Sequence, residues 1–244
     1  MSASAPPAGP GHDSSVRASN AHLNSIRAAV LGANDGVVSV ASIILGVAGA
    51  TESRTAVLVA GMAGLAAGAL SMAVGEFVSV SGQRDTERAY IRTEKWRLEQ
   101  YPEEEFEELA RTFQGKGLSA ATAHQVAREL TAHDAVAAHL DAELHLNEED
   151  LSSPIGAGLA SLGAFTLGGV IPLAAVLTVG PQARLPVTVA AVFVTLIITG
   201  YVSAVVGRTS KLQAILRVAV GGAIAMLITY CIGHVVSSIV GHPL

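Results

Sequence analysis

The sequence predicts an all-α membrane protein: five transmembrane helices, with a cytoplasmic three-helix metal-binding insert between helices 2 and 3. Three observations predict it. Half of the 244 residues are apolar, and the mean hydropathy of +0.48 is high for a soluble domain of this size. Apolar runs over about 28–50, 56–80, 154–179, 185–206 and 213–240 are each long enough to cross a bilayer. Residues 83–150 carry 16 acids against 8 basic residues, a net −8, whereas the rest of the chain carries 4 against 7, a net +3. An apolar chain with one acidic, water-facing segment results.

The chain divides into four parts on this reading. Residues 1–27 form a disordered cytoplasmic tail. Residues 1–20 are rich in Pro, Gly, Ser and Ala and lack the apolar core of a cleavable signal peptide. Residues 28–82 hold the first two spans, 83–150 the acidic insert, and 151–244 the last three spans. Pro172 is expected to kink the third span or break it locally, and Pro181 and Pro186 to bracket a short loop before the fourth. A single cysteine, Cys231, excludes an intrachain disulfide. Twelve Arg against three Lys point to a GC-rich genome and a bacterial inner membrane.

Lys and Arg near the span ends set the orientation. Arg17 and Arg27 precede the first span, Arg84, Arg88 and Arg92 follow the second, and Arg208, Lys211 and Arg217 join the fourth to the fifth. The opposite loops hold only Arg54 and Arg184. The N-terminus and the insert are therefore expected in the cytoplasm.

The insert reads as short helices. Residues 83–100 have few breakers. Pro102 suits a first helical turn and is followed by Glu103, Glu104 and Glu105. Ser119 is a candidate N-cap for a helix to about Thr131, and a third helix runs over about 134–146. Glu94, Glu105 and Glu108 fall on one face if the helix continues through Pro102, because eleven residues make about three turns. His139 and Glu143 are four apart and share a face. Carboxylates with an imidazole suit Fe²⁺, Mn²⁺ or Zn²⁺. Glu103, Glu104 and Glu107 read as a solvated face.

Two acids stand alone within spans: Asp35 in the first and Glu76 in the second. An ionisable group at the bilayer centre costs roughly 2.5–3.5 kcal/mol or more and marks a functional site by default. The short loop 51–55 makes these spans antiparallel, which puts both acids roughly 6–10 Å from the same surface. Two separately satisfied polar residues, or a Glu76 lying at the membrane interface, would look the same in sequence, but similar depth on adjacent helices points to one cation site. Met72, one turn before Glu76, adds a thioether ligand. Gly61, Gly64, Gly68 and Gly75 let helix backbones approach, either within the chain or across a dimer axis. His234, near the outer end of the fifth span, could line an exit, but packing is the favoured reading.

Asn34-Asp35-Gly36, the string from Ala67 to Ser81 (Ala-Gly-Ala-Leu-Ser-Met-Ala-Val-Gly-Glu-Phe-Val-Ser-Val-Ser) and Gln83-Arg-Asp-Thr-Glu87 resemble the vacuolar iron transporter family over about residues 25–240. The resemblance implies a homodimer with a metal path at its interface, moving Fe²⁺ and often Mn²⁺ out of the cytosol in exchange for protons. Asp35 and Met72 match the family's intramembrane metal positions, and Glu76 matches the motif acid beside them. Glu94, Glu105, Glu108 and Glu143 match glutamates that bind metal. The chain departs from the pattern twice: Arg97 stands where a further glutamate is expected, and His139-Leu140 where plant members have a Met pair. No ferritin-like domain is expected, nor a resident cofactor, nor a nucleic-acid partner. A di-iron enzyme is disfavoured because no Glu-x-x-His occurs. A passive cation channel and a membrane-anchored metal sensor stay as alternatives.

Overall fold

The computed structural model describes residues 12–147, 151 and 153–240. Residues 1–11, part of the stretch read as a disordered tail, lie outside these, as do 148–150, 152 and 241–244. Among the described residues seven α-helices follow in order: α1 (His12–Ala50), α2 (Arg54–Gln100), α3 (Pro102–Gly115), α4 (Ala120–His139), α5 (Pro154–Thr178), α6 (Pro181–Val206) and α7 (Lys211–Val240). A π-helical turn, Leu140–Leu144, extends α4. Among the described residues, α1, α2, α5, α6 and α7 are long and apolar enough to span a bilayer. The protein is an integral membrane protein.

Helix bounds depart from the sequence reading at three places. α1 is helical from His12, the first described residue, so residues 12–27 are helical rather than tail. α2 runs unbroken for 47 residues, about 70 Å, because nothing between Ala56 and Gln100 stops it except the tolerated glycines. Pro186 is inside α6 rather than in a loop. The helix starts at Pro181, where a missing N–H is harmless, and Pro186 then removes only one bond near the end. Pro172 likewise lies within α5, fully buried.

Two compact units can be separated: residues 1–75 with 158–244, and residues 76–157. In the first unit α1 is the hub. Val40 and Ile44 pack with Val57 and Ala69 of α2 and Phe165, Leu173 and Val176 of α5. One residue round the helix, Val37, Ala41 and Leu45 pack with Val192 and Leu196 of α6 and Met226 of α7. α1 is therefore buried on two sides, while the outer faces of α2, α6 and α7 present exposed Val, Leu and Ile, as lipid contact requires.

Small residues allow these crossings. A Cβ on Gly36 would strike the Phe165 carbonyl, and one on Gly168 the Ala33 carbonyl, so α1 and α5 touch backbone to backbone beside Asp35. Gly61, Gly64 and Gly68 meet Leu173, Ile43 and Phe165 within the chain, whereas Gly75 has open space around it. His234, expected to be packed, is exposed on α7.

In the second unit Leu109 and Ala110 of α3, Ala127 of α4 and Ala142 of the π-turn form a small core, with Phe106 and Phe113 against it. Ser119 caps α4, its hydroxyl accepting from the Thr122 N–H at 3.3 Å. α4 is kinked at Asp134, whose backbone is extended (φ −159°, ψ 101°) and whose carboxylate caps the continuation by accepting from the Ala137 N–H at 2.9 Å.

Gly168→Ala should destabilise the protein by about 1–3 kcal/mol, since a buried backbone must move. Gly163→Ala, with open space at that position, should not lower stability. Thermal unfolding of both variants in one detergent checks the difference.

Candidate metal centre

The site in the second unit is built from three helical pieces. On α2 the residues Arg84, Glu87, Ile91, Glu94 and Leu98 recur at three- and four-residue intervals and are buried or half-buried, so Glu94 points inward with Ile91. On α3, Glu105 lies one turn before the core residue Leu109 and is buried with it. His139 ends α4, fully buried, and Glu143 follows in the π-turn.

The helix does not continue regularly through Pro102. Tyr101 leaves helical geometry (φ −133°, ψ 52°), although its N–H still donates to the Arg97 carbonyl at 2.7 Å. Glu94 and Glu105 therefore meet from two helices rather than along one face.

All three carboxylates converge on one ring nitrogen. His139 Nδ1 lies 3.2 Å from Glu94 Oε1, 3.2 Å from Glu143 Oε1 and 3.9 Å from Glu105 Oε2. Ligand atoms of Glu94, Glu105 and His139 lie within 4.8 Å of one another. These four atoms are buried and make no hydrogen bond among the described residues, and the same holds for His139 Nε2. Buried polar atoms are almost always paired, so this concentration of bare donors needs an explanation. Two ligands at about 2.1 Å from one ion, at a tetrahedral angle, are about 3.4 Å apart. The observed spacings bracket that value, and the donor set of one imidazole and three carboxylates suits a divalent transition metal.

Glu108 stands apart from the buried group. Its side chain is 43 % exposed and lies 4.0 Å from Arg97 Nη1, which is also 3.9 Å from Glu105 Oε1. Lys116 supports the π-turn, donating to the Ala142 carbonyl at 3.0 Å from above the Phe113 ring.

Protonation follows from burial. Desolvation, then Glu94 and Glu108, push the Glu105 carboxyl up, with Arg97 pulling the other way. Desolvation and the neighbouring acids Glu108, Glu94 and Glu105 push Glu143 up to about 7. Burial holds the His139 imidazole below its ordinary value against the pull of Glu94 and Glu108. A neutral imidazole keeps a lone pair for a metal ion.

In the membrane unit, Asp35 is half-buried and accepts a hydrogen bond from the Ser39 hydroxyl at 2.7 Å. Met72 packs on the α1–α2–α5 core. Gly36, next to Asp35, and Gly68, one turn before Met72, both meet Phe165. Phe165 of α5 thus lies against both stretches, its carbonyl beside Gly36 and its ring beside Gly68. Glu76, one turn beyond Met72 on α2, is half-buried. The sequence reading did not find Arg97's carboxylate contacts, because they span the irregular backbone at Tyr101.

A bound metal needs deprotonated ligands, so metal binding should weaken as pH falls through about 7, where Glu143 takes up its proton. The metal-free chain has the opposite sign. The folded value of Glu143 lies above the ordinary 4.5, so the stability linked to it is full below that pH and is lost as pH rises through about 7. Saturating Mn²⁺ should therefore raise the thermal midpoint more at about pH 7.5 than at about pH 5.5. Glu143→Gln should flatten that difference, and an equal gain at both pH values would remove Glu143 from the ligand set.

The VIT family model matches residues 26–234. A vacuolar iron transporter of Acanthamoeba castellanii is 43 % identical over 215 residues, covering 85 % of this chain and 77 % of the relative. Vacuolar iron transporter homolog 4 of Arabidopsis thaliana is 34 % identical over 214 residues, covering 87 % of this chain and 84 % of the relative. Vacuolar iron transporter homolog 5 of Oryza sativa subsp. japonica is 37 % identical over 211 residues, covering 86 % and 79 %. The matched region reaches from α1 into α7 and takes in the residues that converge on His139, and the chain belongs to the VIT family of vacuolar iron transporters.

Proposed function

We propose that this chain is a proton-coupled transporter that moves Fe²⁺ and Mn²⁺ out of the cytosol, and that Zn²⁺ can occupy its sites. The observation that carries the reading is the group of buried, unpaired donors on Glu94, Glu105, His139 and Glu143. The names of the relatives favour iron as the cargo. The net negative charge of the insert raises the local concentration of cations, and Glu108 and its neighbours extend that field to the rim. The ion then passes to Asp35, Met72 and Glu76, where proton uptake from the far side weakens binding and releases it.

The chain works as a homodimer on this reading. Small and apolar residues on the outer face of α2, with Val59, Met62, Leu70 and Val74 exposed, support a helix–helix contact with a second copy. An apolar groove of about 460 Å³ between α2 and α5 lies on the same side, walled by Leu65, Val170 and Leu177 among others. The distribution of Lys and Arg supports a cytoplasmic N-terminus and insert in a bacterial inner membrane.

Purified protein in liposomes, with an imposed pH gradient and an internal pH dye, tests the reading. Metal uptake with opposite proton movement is expected. Asp35→Asn and Glu76→Gln should each lower uptake by about tenfold or more, as loss of a charged ligand in a low-dielectric site implies. His139→Ala should instead raise the metal concentration for half-maximal uptake and leave the rate at saturation nearly unchanged. Uptake indifferent to the gradient would make the protein a channel, and binding without uptake would make it a sensor.

A further inference from the structure

The carboxylates around His139 are not all turned the same way. Glu105 divides its oxygens: Oε2 faces His139 at 3.9 Å and Oε1 faces Arg97 Nη1 at 3.9 Å. Glu108 turns Oε2 to the same guanidinium at 4.0 Å. Glu105 and Glu108 thus flank Arg97 as two carboxylates flank a bound cation. The side chain of Arg97 is 44 % exposed, so it reaches the group from the solvent rim while its backbone is held at the junction of α2 and α3.

A guanidinium is always charged and has no lone pair to give a metal ion. It supplies positive charge without ligand capacity. A second divalent ion between Glu105 and Glu108 would lie about 4 Å from that charge, a repulsion that weakens binding by more than about tenfold even at the dielectric constant of water.

We propose that Arg97 is a tethered counter-cation that fills the outer half of the carboxylate group. It limits the insert to one divalent ion, held by Glu94, Glu105, Glu143 and His139, and loosens that ion so that it can move on. Arg97 is a positioning residue: it shapes the site through Glu105 and Glu108 and does not touch the metal. The inference rests on the metal-binding reading of the insert.

Mn²⁺ titration of the purified full-length chain tests it, with bound metal counted by equilibrium dialysis. Trp96 is the chain's single tryptophan and lies beside Arg97, stacked edge-on with Tyr101 at 5.7 Å. Quenching of its emission reports ions in the insert. Arg97→Gln should bind one more Mn²⁺ per chain than the parent and hold the first about tenfold more tightly, whereas Arg97→Lys, which keeps the charge, should stay close to the parent. Unchanged count and affinity in Arg97→Gln would overturn the proposal. So would weaker binding with a lowered thermal midpoint before metal is added, which would make Arg97 a structural support only. If the parent binds no ion that Glu94→Gln and His139→Ala remove, the metal reading of the insert falls and Arg97's role falls with it. Loss in those variants with no effect in Arg97→Gln overturns the role of Arg97 alone.

Discussion

Carboxylates gathered out of water must be neutralised, and the second unit is arranged around that requirement. Glu94, Glu105 and Glu143 surround a fully buried imidazole without a hydrogen bond among the facing atoms. Desolvation is the leading cause of every shift in the group, lifting Glu105 and Glu143 and lowering His139. A proton on Glu143 relieves the repulsion, and a divalent cation placed at the same oxygens would relieve it in the proton's stead. The hydrophobic packing of Leu109, Ala110, Ala127 and Ala142 holds α3, α4 and the π-turn, which present Glu105, His139 and Glu143, so stability of the small core and the placement of these three groups are linked.

The membrane unit answers a different constraint. α1 carries a carboxylate in a stretch that lipid would not tolerate unsatisfied. Ser39 supplies one hydrogen bond to Asp35 from the next turn of the same helix. Close backbone crossings at Gly36 and Gly168 bring α5 against the stretch next to Asp35. Packing on two sides of α1, with α2 and α5 on one and α6 and α7 on the other, covers the helix that holds the acid and leaves the apolar outer faces of its neighbours for lipid.

Local chemistry explains where the sequence could be read and where it could not. The spans were legible because twenty or so apolar residues with at most one acid among them have few other stable solutions. Ser119 was legible as a cap because a hydroxyl before an alanine-rich run has one obvious use. Pro186 misled, since a proline early in a helix and a proline in a loop look the same in sequence. The run over 83–100 was legible as helix, but not as a continuation of the second span: polarity marked the end of the membrane segment, and helix propensity carried α2 on to Gln100. His234 was read as packed and is exposed, because a lone histidine in an apolar span gives no sign of which face it occupies.

Composition and spacing alone determined the class of protein, the five apolar helices, the acidic insert and the residues worth watching. They did so because hydrophobic length and charge segregation are properties of contiguous chain. Tertiary structure decided which acids share a space. Glu94 and Glu105 share one face in sequence only if the helix continues through Pro102; α3 instead starts there, so the two meet His139 across the irregular backbone at Tyr101, and Glu108 turns to Arg97. Burial and partnerless polar atoms depend on atoms distant in sequence, so only the folded chain could separate a buried carboxylate–imidazole group from a solvated acidic face.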